Sequence, residues 1–235
     1  MNGPIALIGG WVHSLPCLPV DHRLIELVGK ERPVVTIVPV AASRRMLPKA
    51  VRTGRRFWEE LGAEVRVAVP NEDEPQEESD ALEGTDIVVL TGGYPVRLRS
   101  GLSNSPLWTK IQELWARGAA VSGSSAGCME LCEWTLRLKP PNPLALVPGL
   151  GLIKNCVSLP HFNRYGIARL SPSLLRLADL TLIGVDEKTG LIGAGDDYEV
   201  VGVGAVTIIR NGAAVRYPSG AGFELTLAPA EDRPI

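Results

Sequence analysis

The chain has 235 residues, of which 45% are hydrophobic and 21% charged, with a formal net charge of -2 and a sequence pI near 6.0. This composition is typical of a globular protein with a sizeable core, and it gives no basic field that would attract nucleic acid. The four cysteines have the spacing of neither a disulfide framework nor a metal site, so we expect buried thiols in a reducing compartment. Because no apolar run approaches the roughly 20 residues that span a bilayer, and the first residues lack a secretory signal, we expect a cytoplasmic protein without a membrane partner.

The first half of the chain alternates predicted strands and helices. The predicted strands are 4–8, 34–38, 64–69, 86–90 and 119–121, and the predicted helices are 21–28, capped by Asp21, 46–61 and 107–117. This alternation predicts an α/β fold with a mostly parallel sheet that helices cover on both faces. Ligands of such sheets bind at the carboxyl ends of the strands, where two glycine turns, 91–95 and 123–127, lie.

The second half is predicted to be rich in antiparallel strands. Strands are expected at 155–159, 180–185, 190–192, 198–203, 205–210 and 213–217, and a helix is expected at 171–177. Asn211-Gly212 is a hairpin signal. Since no linker or repeat separates the halves, we expect one domain over residues 1–235.

The central motif is Gly123-Ser124-Ser125-Ala126-Gly127, between a predicted strand and a predicted helix. It fits Gly-x-Ser-x-Gly, the nucleophile elbow, in which glycines allow a sharp bend that exposes the serine hydroxyl. The amide of Ala126, at the start of the helix, is placed to donate to a developing oxyanion. Two alternatives stay open, a connecting loop without function and a loop whose amides bind phosphate.

A nucleophilic serine needs a base and an acid that orients the base. Of the three histidines, His161 is favoured because it follows a predicted strand, whereas His13 and His22 lie near the first strand–helix connection. The α/β-hydrolase order would require an acid between Ser125 and His161, and the candidates there, Glu130 and Glu133, are expected on the nucleophile helix. Downstream, Asp186 and Glu187 follow a strand end and offer a carboxylate to the crevice. A solvent-facing pair is the alternative there.

Four segments together resemble the serine peptidases of the aspartyl dipeptidase (dipeptidase E) and cyanophycinase type. These segments are 91–98 (TGGYPVRL), 123–127 (GSSAG), 161–170 (HFNRYGIARL) and 184–187 (GVDE). Their order and spacing extend over most of the chain. The resemblance implies the flavodoxin-like fold of class I glutamine amidotransferases.

Carried over residue by residue, the resemblance implies that Ser125 is the nucleophile, His161 the general base and Glu187 the orienting acid. It also implies an oxyanion hole formed by the amides of Gly93 and Ala126, with neither a metal nor an organic cofactor. The acid of this family is also assigned to the segment between the serine and the histidine, where this chain has no clear counterpart. The cysteine chemistry of the amidotransferases is disfavoured because Cys128 lies inside the expected helix.

The expected substrate is a short peptide. Arg164, Arg97 and Arg169 are candidates to bind a substrate carboxylate, since guanidinium groups bind carboxylates bidentately. Tyr94-Pro95 replaces the Asn-Thr or Asp-Gln that is usual after the glycines, so Tyr94 is a further candidate to contact substrate and aspartyl specificity is in question.

Three other functions stay open: a cyanophycinase-like hydrolase of β-linked Asp-Arg units, an esterase of the α/β-hydrolase type, and a binding module without catalysis. A homodimer stays open as well.

Overall fold

The computed structural model of the protein describes residues 2–69, 80–137, 145–166 and 180–226, and these fold into two β-sheets with helices. The strands are β1 (Ile5–Ile8), β2 (Val34–Val38), β3 (Glu64–Val67), β4 (Ile87–Leu90), β5 (Ala120–Ser124), β6 (Cys132–Arg137), β7 (Ala145–Pro148), β8 (Ile153–Pro160), β9 (Thr181–Val185), β10 (Thr189–Ala194), β11 (Asp197–Gly202), β12 (Ala205–Arg210), β13 (Ala213–Pro218) and β14 (Gly222–Glu224). The helices are α1 (Leu18–Val28), α2 (Leu47–Glu60), α3 (Pro95–Leu102), α4 (Pro106–Ala116), α5 (Ala126–Leu131) and α6 (Phe162–Tyr165).

The larger sheet has eight strands in the order β14-β11-β10-β1-β5-β4-β2-β3. The five strands from β1 to β3 in this order are parallel, and β10, β11 and β14 extend the sheet with antiparallel pairings. The flavodoxin-like, mostly parallel α/β fold is therefore confirmed.

The second sheet has six strands in the order β13-β12-β9-β8-β6-β7. Strands β6, β8 and β9 are parallel to one another, and the outer pairings are antiparallel. The predicted C-terminal β-rich part is thus divided between the two sheets. Its strands show similar apolar alternation, which identifies strands but does not specify their partners.

Both faces of the larger sheet are buried. On one face, Val20 and Leu24 of α1 and Trp58 of α2 share a hydrophobic cluster with apolar side chains of β1, β2 and β4. On the other face, side chains of α3, α4 and α5 share a second cluster with side chains of the smaller sheet, including Ile183 and Val206. The two sheets thus bury a common core, and helices cover both faces as expected.

Two predicted boundaries are wrong. Helix α1 begins at Leu18, so Asp21 is not its N-cap and instead lies buried in the first turn. Proline at the start of the helix has the φ value that a first turn needs and accounts for the earlier beginning. The nucleophile helix ends at Leu131 and Cys132 begins β6, so Glu133 lies on a strand. The Trp and Thr that follow Glu133 favour a strand over further helix.

One observed helix was not expected, and one expected helix is not described. Helix α3 was not predicted, although Pro95 at its first position is a favourable start. The predicted helix 171–177 lies outside the described residues.

Parallel pairing brings the loops that carry the candidate residues to one edge of the larger sheet. β1, β5 and β4 are neighbours, so their carboxyl ends place Gly9-Gly10, Ser125 and Gly92-Gly93 side by side. β8 and β9 are also parallel neighbours, and they end just before His161 and just before Asp186-Glu187. The His161 amide donates to the Gly9 carbonyl at 2.9 Å, which joins the second sheet to this edge.

Candidate active site

Ser125 lies on a strained turn between β5 and α5. Its φ of 50° and ψ of -103° are unfavourable for a residue with a side chain, and its amide donates to the Ile8 carbonyl at 3.0 Å. A Cβ atom on Gly127 would lie 2.5 Å from the Leu90 carbonyl oxygen, and one on Gly123 would lie 2.6 Å from the backbone of Gly127. Both glycines of the motif are therefore required by close backbone packing, as in a nucleophile elbow.

Ser125, His161 and Glu187 form a continuous hydrogen-bonded relay. The Ser125 Oγ lies 2.9 Å from His161 Nε2, and His161 Nδ1 lies 2.8 Å from Glu187 Oε1. With the carboxylate ionised, it accepts the Nδ1 proton, which leaves the Nε2 lone pair facing the serine hydroxyl. The structure brings the three residues together in the order serine, base and acid that proton transfer from a serine requires.

The first strand of the larger sheet holds the histidine in place. His161 has a left-handed φ of 56°, and its amide is bonded to Gly9. A Cβ atom on Gly10 would lie 2.4 Å from His161 Cε1, and Gly10 itself has a φ of 126°. Glycine at position 10 is thus needed both for the backbone conformation and for the space that the imidazole occupies.

The Glu187 carboxylate is oriented by several neighbours. Its side chain is 10% exposed, its backbone amide donates to Asn163 Oδ1 at 3.0 Å, and Arg164 Nε lies 3.2 Å from Oε1. Burial raises the pKa of Glu187, but interactions with the side chains of His161 and Trp11 and the positive charge of Arg164 outweigh burial and hold the pKa below its ordinary value. The carboxylate is therefore ionised at neutral pH.

The two carboxylates of the acidic turn have different surroundings. Asp186 is 3% exposed, and its Oδ2 accepts from the Ala205 amide at 3.0 Å and from Arg216 Nη2 at 2.8 Å. It points into the fold, whereas Glu187 points to His161. The alternative of a solvent-facing pair is not what the structure shows.

The other candidate acids and bases lie elsewhere. Glu130 pairs with Arg99, and Glu133 accepts from the Asn155 amide, so neither carboxylate orients His161. His13 packs on Phe57 of α2, and burial lowers its pKa to about 4. His22 is exposed on α1. Cys128 is fully buried, and burial raises its pKa well above the ordinary value for a thiol.

The glycine turn after β4 lies beside the serine. A Cβ atom on Gly92 would be 3.4 Å from Ser125 Cβ, and Gly93 packs so closely on Ala41 that a Cβ there would be 2.3 Å from the Ala41 carbonyl oxygen. Ala126 opens α5, so its amide has no carbonyl one turn earlier within the helix. The amides of Gly93 and Ala126 thus belong to two turns that meet at Ser125.

The predicted substrate-binding residues are mostly exposed. Tyr94 is 61% exposed, and the Arg164 side chain is 61% exposed although its Nε is near Glu187. Arg97 is exposed and donates to the Ala42 carbonyl at 3.2 Å. Arg169 lies outside the described residues.

Sequence reasoning missed three residues around the relay: Gly10, Trp11 and Asn163. Trp11 is 55% exposed with a φ of 66°, and Lys188 Nζ lies 5.6 Å from the centre of its ring. Gly9-Gly10 at the carboxyl end of β1 is the same kind of signal as Gly92-Gly93, which was recognised. Nothing in the sequence indicates that Asn163 accepts from an amide 24 residues later.

The described residues contain neither a membrane-spanning helix nor a cluster of metal-binding side chains. No helix among them is long and apolar enough to cross a membrane. Within the same ranges, no group of three or more His, Cys, Asp or Glu side chains is arranged to hold a metal ion.

Comparisons with known proteins identify the family of the chain. Residues 5–201 match the sequence profile of Peptidase family S51. The cyanophycinase of Trichormus variabilis is 33% identical over 220 residues, which cover 87% of this chain and 72% of the relative.

Two solved structures are similar to the whole described architecture. A peptidase from an acI-B1 actinobacterium has a TM-score of 0.80 and 27% identity, with 96% of this chain and 98% of that chain covered. A Peptidase E protein from Listeria monocytogenes has a TM-score of 0.59 and 17% identity, covers 93% and 99% of the two chains, and shows the shared fold. The chain belongs to peptidase family S51 and is a serine peptidase.

Proposed function

We propose that the protein hydrolyses short peptides, including those with an N-terminal aspartate, through an acyl-enzyme on Ser125. His161 is the general base and Glu187 the orienting acid, and the amides of Gly93 and Ala126 form the oxyanion hole. The observation that carries this proposal is the relay of 2.9 Å and 2.8 Å contacts from Ser125 through His161 to Glu187.

The proposed reaction begins with proton transfer from the serine. As Ser125 Oγ attacks the peptide carbonyl, its proton moves to His161 Nε2, and the ionised Glu187 stabilises the imidazolium that forms. His161 then gives the proton to the leaving amine. Water, deprotonated by the same imidazole, hydrolyses the acyl-enzyme and regenerates Ser125.

The two glycine-containing turns supply the electrostatic stabilisation. During attack, negative charge develops on the carbonyl oxygen, and amide donors already in position stabilise that charge without reorganisation. The backbone amides of Gly93 and Ala126 belong to the two turns that meet at Ser125. Gly93 packs closely on Ala41, and the Tyr94 amide donates to the Ala41 carbonyl at 2.8 Å, so this turn is held against the backbone of Ala41.

Cationic side chains near the relay favour an acidic substrate. Arg164 and Arg97 are exposed, and Lys188 follows the catalytic acid directly. A guanidinium binds a carboxylate bidentately, which suits an aspartyl side chain or a peptide C-terminus. Tyr94, which follows the Gly92-Gly93 turn, faces solvent and is the residue we propose to contact a side chain of the substrate.

A second candidate is a cyanophycinase-like hydrolysis of β-linked Asp-Arg units. It is supported by the 33% identical relative that bears this name. It shares the acyl-enzyme chemistry and differs only in the residues around the scissile bond. Because Tyr94-Pro95 replaces the residues usual in the family after the glycines, the substrate panel decides between the two classes.

The test is a panel of α-aspartyl dipeptides, non-acidic dipeptides and β-Asp-Arg, hydrolysed by the wild type and by Ser125→Ala. We expect the wild type to cleave α-aspartyl peptides and the variant to be at least about a thousandfold slower, since triad members act as a unit. Preference for β-Asp-Arg would move the assignment to the second candidate. Equal hydrolysis by Ser125→Ala would overturn the proposed nucleophile.

We place the enzyme in the cytoplasm. All four cysteines, Cys17, Cys128, Cys132 and Cys156, are buried free thiols, which suit a reducing compartment.

A further inference from the structure

A buried ion pair connects the two helices that follow the proposed oxyanion turns. Arg99 Nη1 of α3 lies 3.4 Å from Glu130 Oε1 of α5. The Glu130 side chain is fully buried, and the Arg99 side chain is 25% exposed. The pair plays no part in the relay of Ser125, His161 and Glu187.

The ion pair lies on the two helices that directly follow the proposed oxyanion turns. Helix α3 follows Gly93 after one residue, and α5 follows Ser125 directly. The two helices pack against each other. The backbone carbonyl of Glu130 also accepts from the Leu150 amide at 2.7 Å, which holds this end of α5 against the loop before β8. Arg99 and Glu130 thus bridge the two backbone segments that carry the amides of Gly93 and Ala126.

The geometry of the Arg99–Glu130 ion pair contributes little to the stability of the fold. Glu130 Oε2 is buried without a hydrogen-bond partner among the described residues, and the 3.4 Å contact is longer than the 2.7–2.9 Å usual for charge-assisted hydrogen bonds. A buried carboxylate that is incompletely satisfied is often less stabilising than apolar side chains of the same volume. Burial raises the pKa of Glu130 to about 7, although the positive charge of Arg99 lowers it.

We propose that Arg99 and Glu130 are positioning residues that hold the Gly92-Gly93 turn against the Ser125-Ala126 turn, so that both oxyanion amides converge on one atom. The inference rests on the proposed function, since it deepens the role of the same site. Small displacements of groups that act in the transition state lower the rate without a matching loss of substrate affinity. The pair therefore acts on the chemical step through the backbone and contacts no substrate.

The test uses diisopropyl fluorophosphate, whose phosphoryl oxygen occupies an oxyanion hole when a serine is phosphorylated. Ser125 Oγ forms the bond to phosphorus, fluoride leaves, and the serine proton passes to His161. The second-order rate is measured for the wild type, Glu130→Gln, Arg99→Met and the double variant. We expect each single variant to react about tenfold more slowly, and the double variant to be no slower than the slower single variant, because both break one interaction. KM for the best peptide of the panel should change less than twofold.

The matched control is Arg23→Met, which breaks the ion pairs of Arg23 with Glu199 at 2.6 Å and with Glu26 at 3.0 Å. These pairs lie on α1 and β11, not on the helices that follow the oxyanion turns. This variant should react like the wild type. Arg99→Lys retains the charge, is tolerated at a partly exposed position, and should restore part of the rate lost in Arg99→Met. If Glu130→Gln fails to fold, the Arg99 variants alone decide. Unchanged rates in folded variants, or losses that add in the double variant, would overturn the positioning role. Absence of labelling in the wild type would instead overturn the proposed function.

A pH series separates positioning from packing. Arg99, from α3, is the one charged side chain among the described residues that acts on the Glu130 carboxyl. Above pH 7 the carboxylate is ionised and paired, and below pH 7 it is protonated and the pair is lost. The ratio of the wild-type rate to the Glu130→Gln rate cancels effects of pH on groups that both proteins share, and it should be about ten at pH 8.5 and approach one at pH 5.5. A ratio that is independent of pH would contradict the proposal.

Discussion

Ser125 and His161 both have left-handed φ values, 50° and 56°, which are unfavourable for residues with a side chain. Each conformation is held by a backbone hydrogen bond to the end of β1: the Ser125 amide donates to Ile8 and the His161 amide to Gly9. Strain of about 1–3 kcal/mol persists only where the surrounding structure over-determines the backbone, and it is common at active sites. The end of β1 therefore positions both the proposed nucleophile and the proposed base.

Gly10→Ala tests this arrangement. The new Cβ would lie 2.4 Å from His161 Cε1, so the imidazole must shift from its position beside Ser125. We expect kcat to fall by about a hundredfold or more, as a misplaced catalytic group does. The control is Gly29→Ala, which also has a positive φ of 69° but has nothing within 4 Å of the new Cβ. It should lose some stability and keep its kcat, and equal activity in the two variants would contradict the account.

Glu187→Gln tests the orienting acid. The amide retains the size of the side chain but loses the negative charge. That charge stabilises the imidazolium form of His161 and fixes the tautomer of its neutral imidazole. We expect kcat to fall by about 10³–10⁴-fold, as for the loss of a triad acid elsewhere, with little change in the melting temperature. Hydrolysis rates and thermal unfolding on the same preparation provide the measurement. A rate within tenfold of the wild type would assign the acid to another residue.

The sequence indicated Ser125, His161 and Glu187 because each follows a strand end and belongs to a recognisable segment. Position after a strand end does not distinguish Asp186 from Glu187, and it was the resemblance to the family that favoured Glu187. Adjacent residues point in different directions, and the structure shows Glu187 next to His161. Sequence reasoning missed Trp11 for a related reason. An exposed aromatic residue in a loop gives no periodic signal, and its contact with Glu187 depends on a turn of the chain.

At the scale of elements, the parallel strands β1 to β5 were predictable because β-branched runs that end at glycine or proline mark buried strands. The separation into two sheets was not predictable. Strands β9 and β10 are consecutive and similar in composition, yet β9 pairs with β8 and β12 whereas β10 pairs with β1 and β11. This choice depends on side-chain packing across the shared core.

Asp186→Asn tests how the turn between β9 and β10 is held. The Asp186 carboxylate joins this turn to the start of β12 through the Ala205 amide and to β13 through Arg216. Loss of its charge should lower the free energy of unfolding by about 1–3 kcal/mol, the range for buried charge-assisted hydrogen bonds. The kcat of the folded protein should stay within about threefold of the wild type. Urea unfolding and kinetics measure the two quantities, and a large loss of kcat with unchanged stability would place Asp186 in the relay.

At the scale of the whole molecule, one hydrophobic cluster includes side chains of both sheets, and the single domain over residues 1–235 stays our prediction. Buried ionisable groups make the stability of this core depend on pH. Asp21 is 2% exposed, its Oδ2 has no hydrogen-bond partner among the described residues, and burial raises its pKa to about 8. Between about pH 4 and pH 8 the folded state therefore binds a proton that the unfolded state does not bind, so stability falls as the pH rises.

Asp21→Asn should remove this dependence. The neutral amide has nearly the same shape and needs no proton. The variant should therefore be more stable than the wild type at pH 8, by about 5 kcal/mol, because each pH unit between about 4 and 8 costs the wild type about 1.4 kcal/mol. The difference should decrease towards pH 4, where the wild-type carboxyl is protonated in the folded state and increasingly so in the unfolded state. Urea unfolding of both proteins at pH 4, 6 and 8 measures it. Parallel stability curves would show that Asp21 is ionised in the folded protein.

The central claim is that Ser125 is a nucleophile activated by His161 and Glu187. The most direct measurement is intact-protein and peptide mass spectrometry after reaction with a serine-reactive phosphonate, for the wild type and Ser125→Ala side by side. The account predicts one adduct on the wild type, located on Ser125, and none on the variant. An unlabelled wild type, or an adduct on another residue that persists in Ser125→Ala, would contradict it.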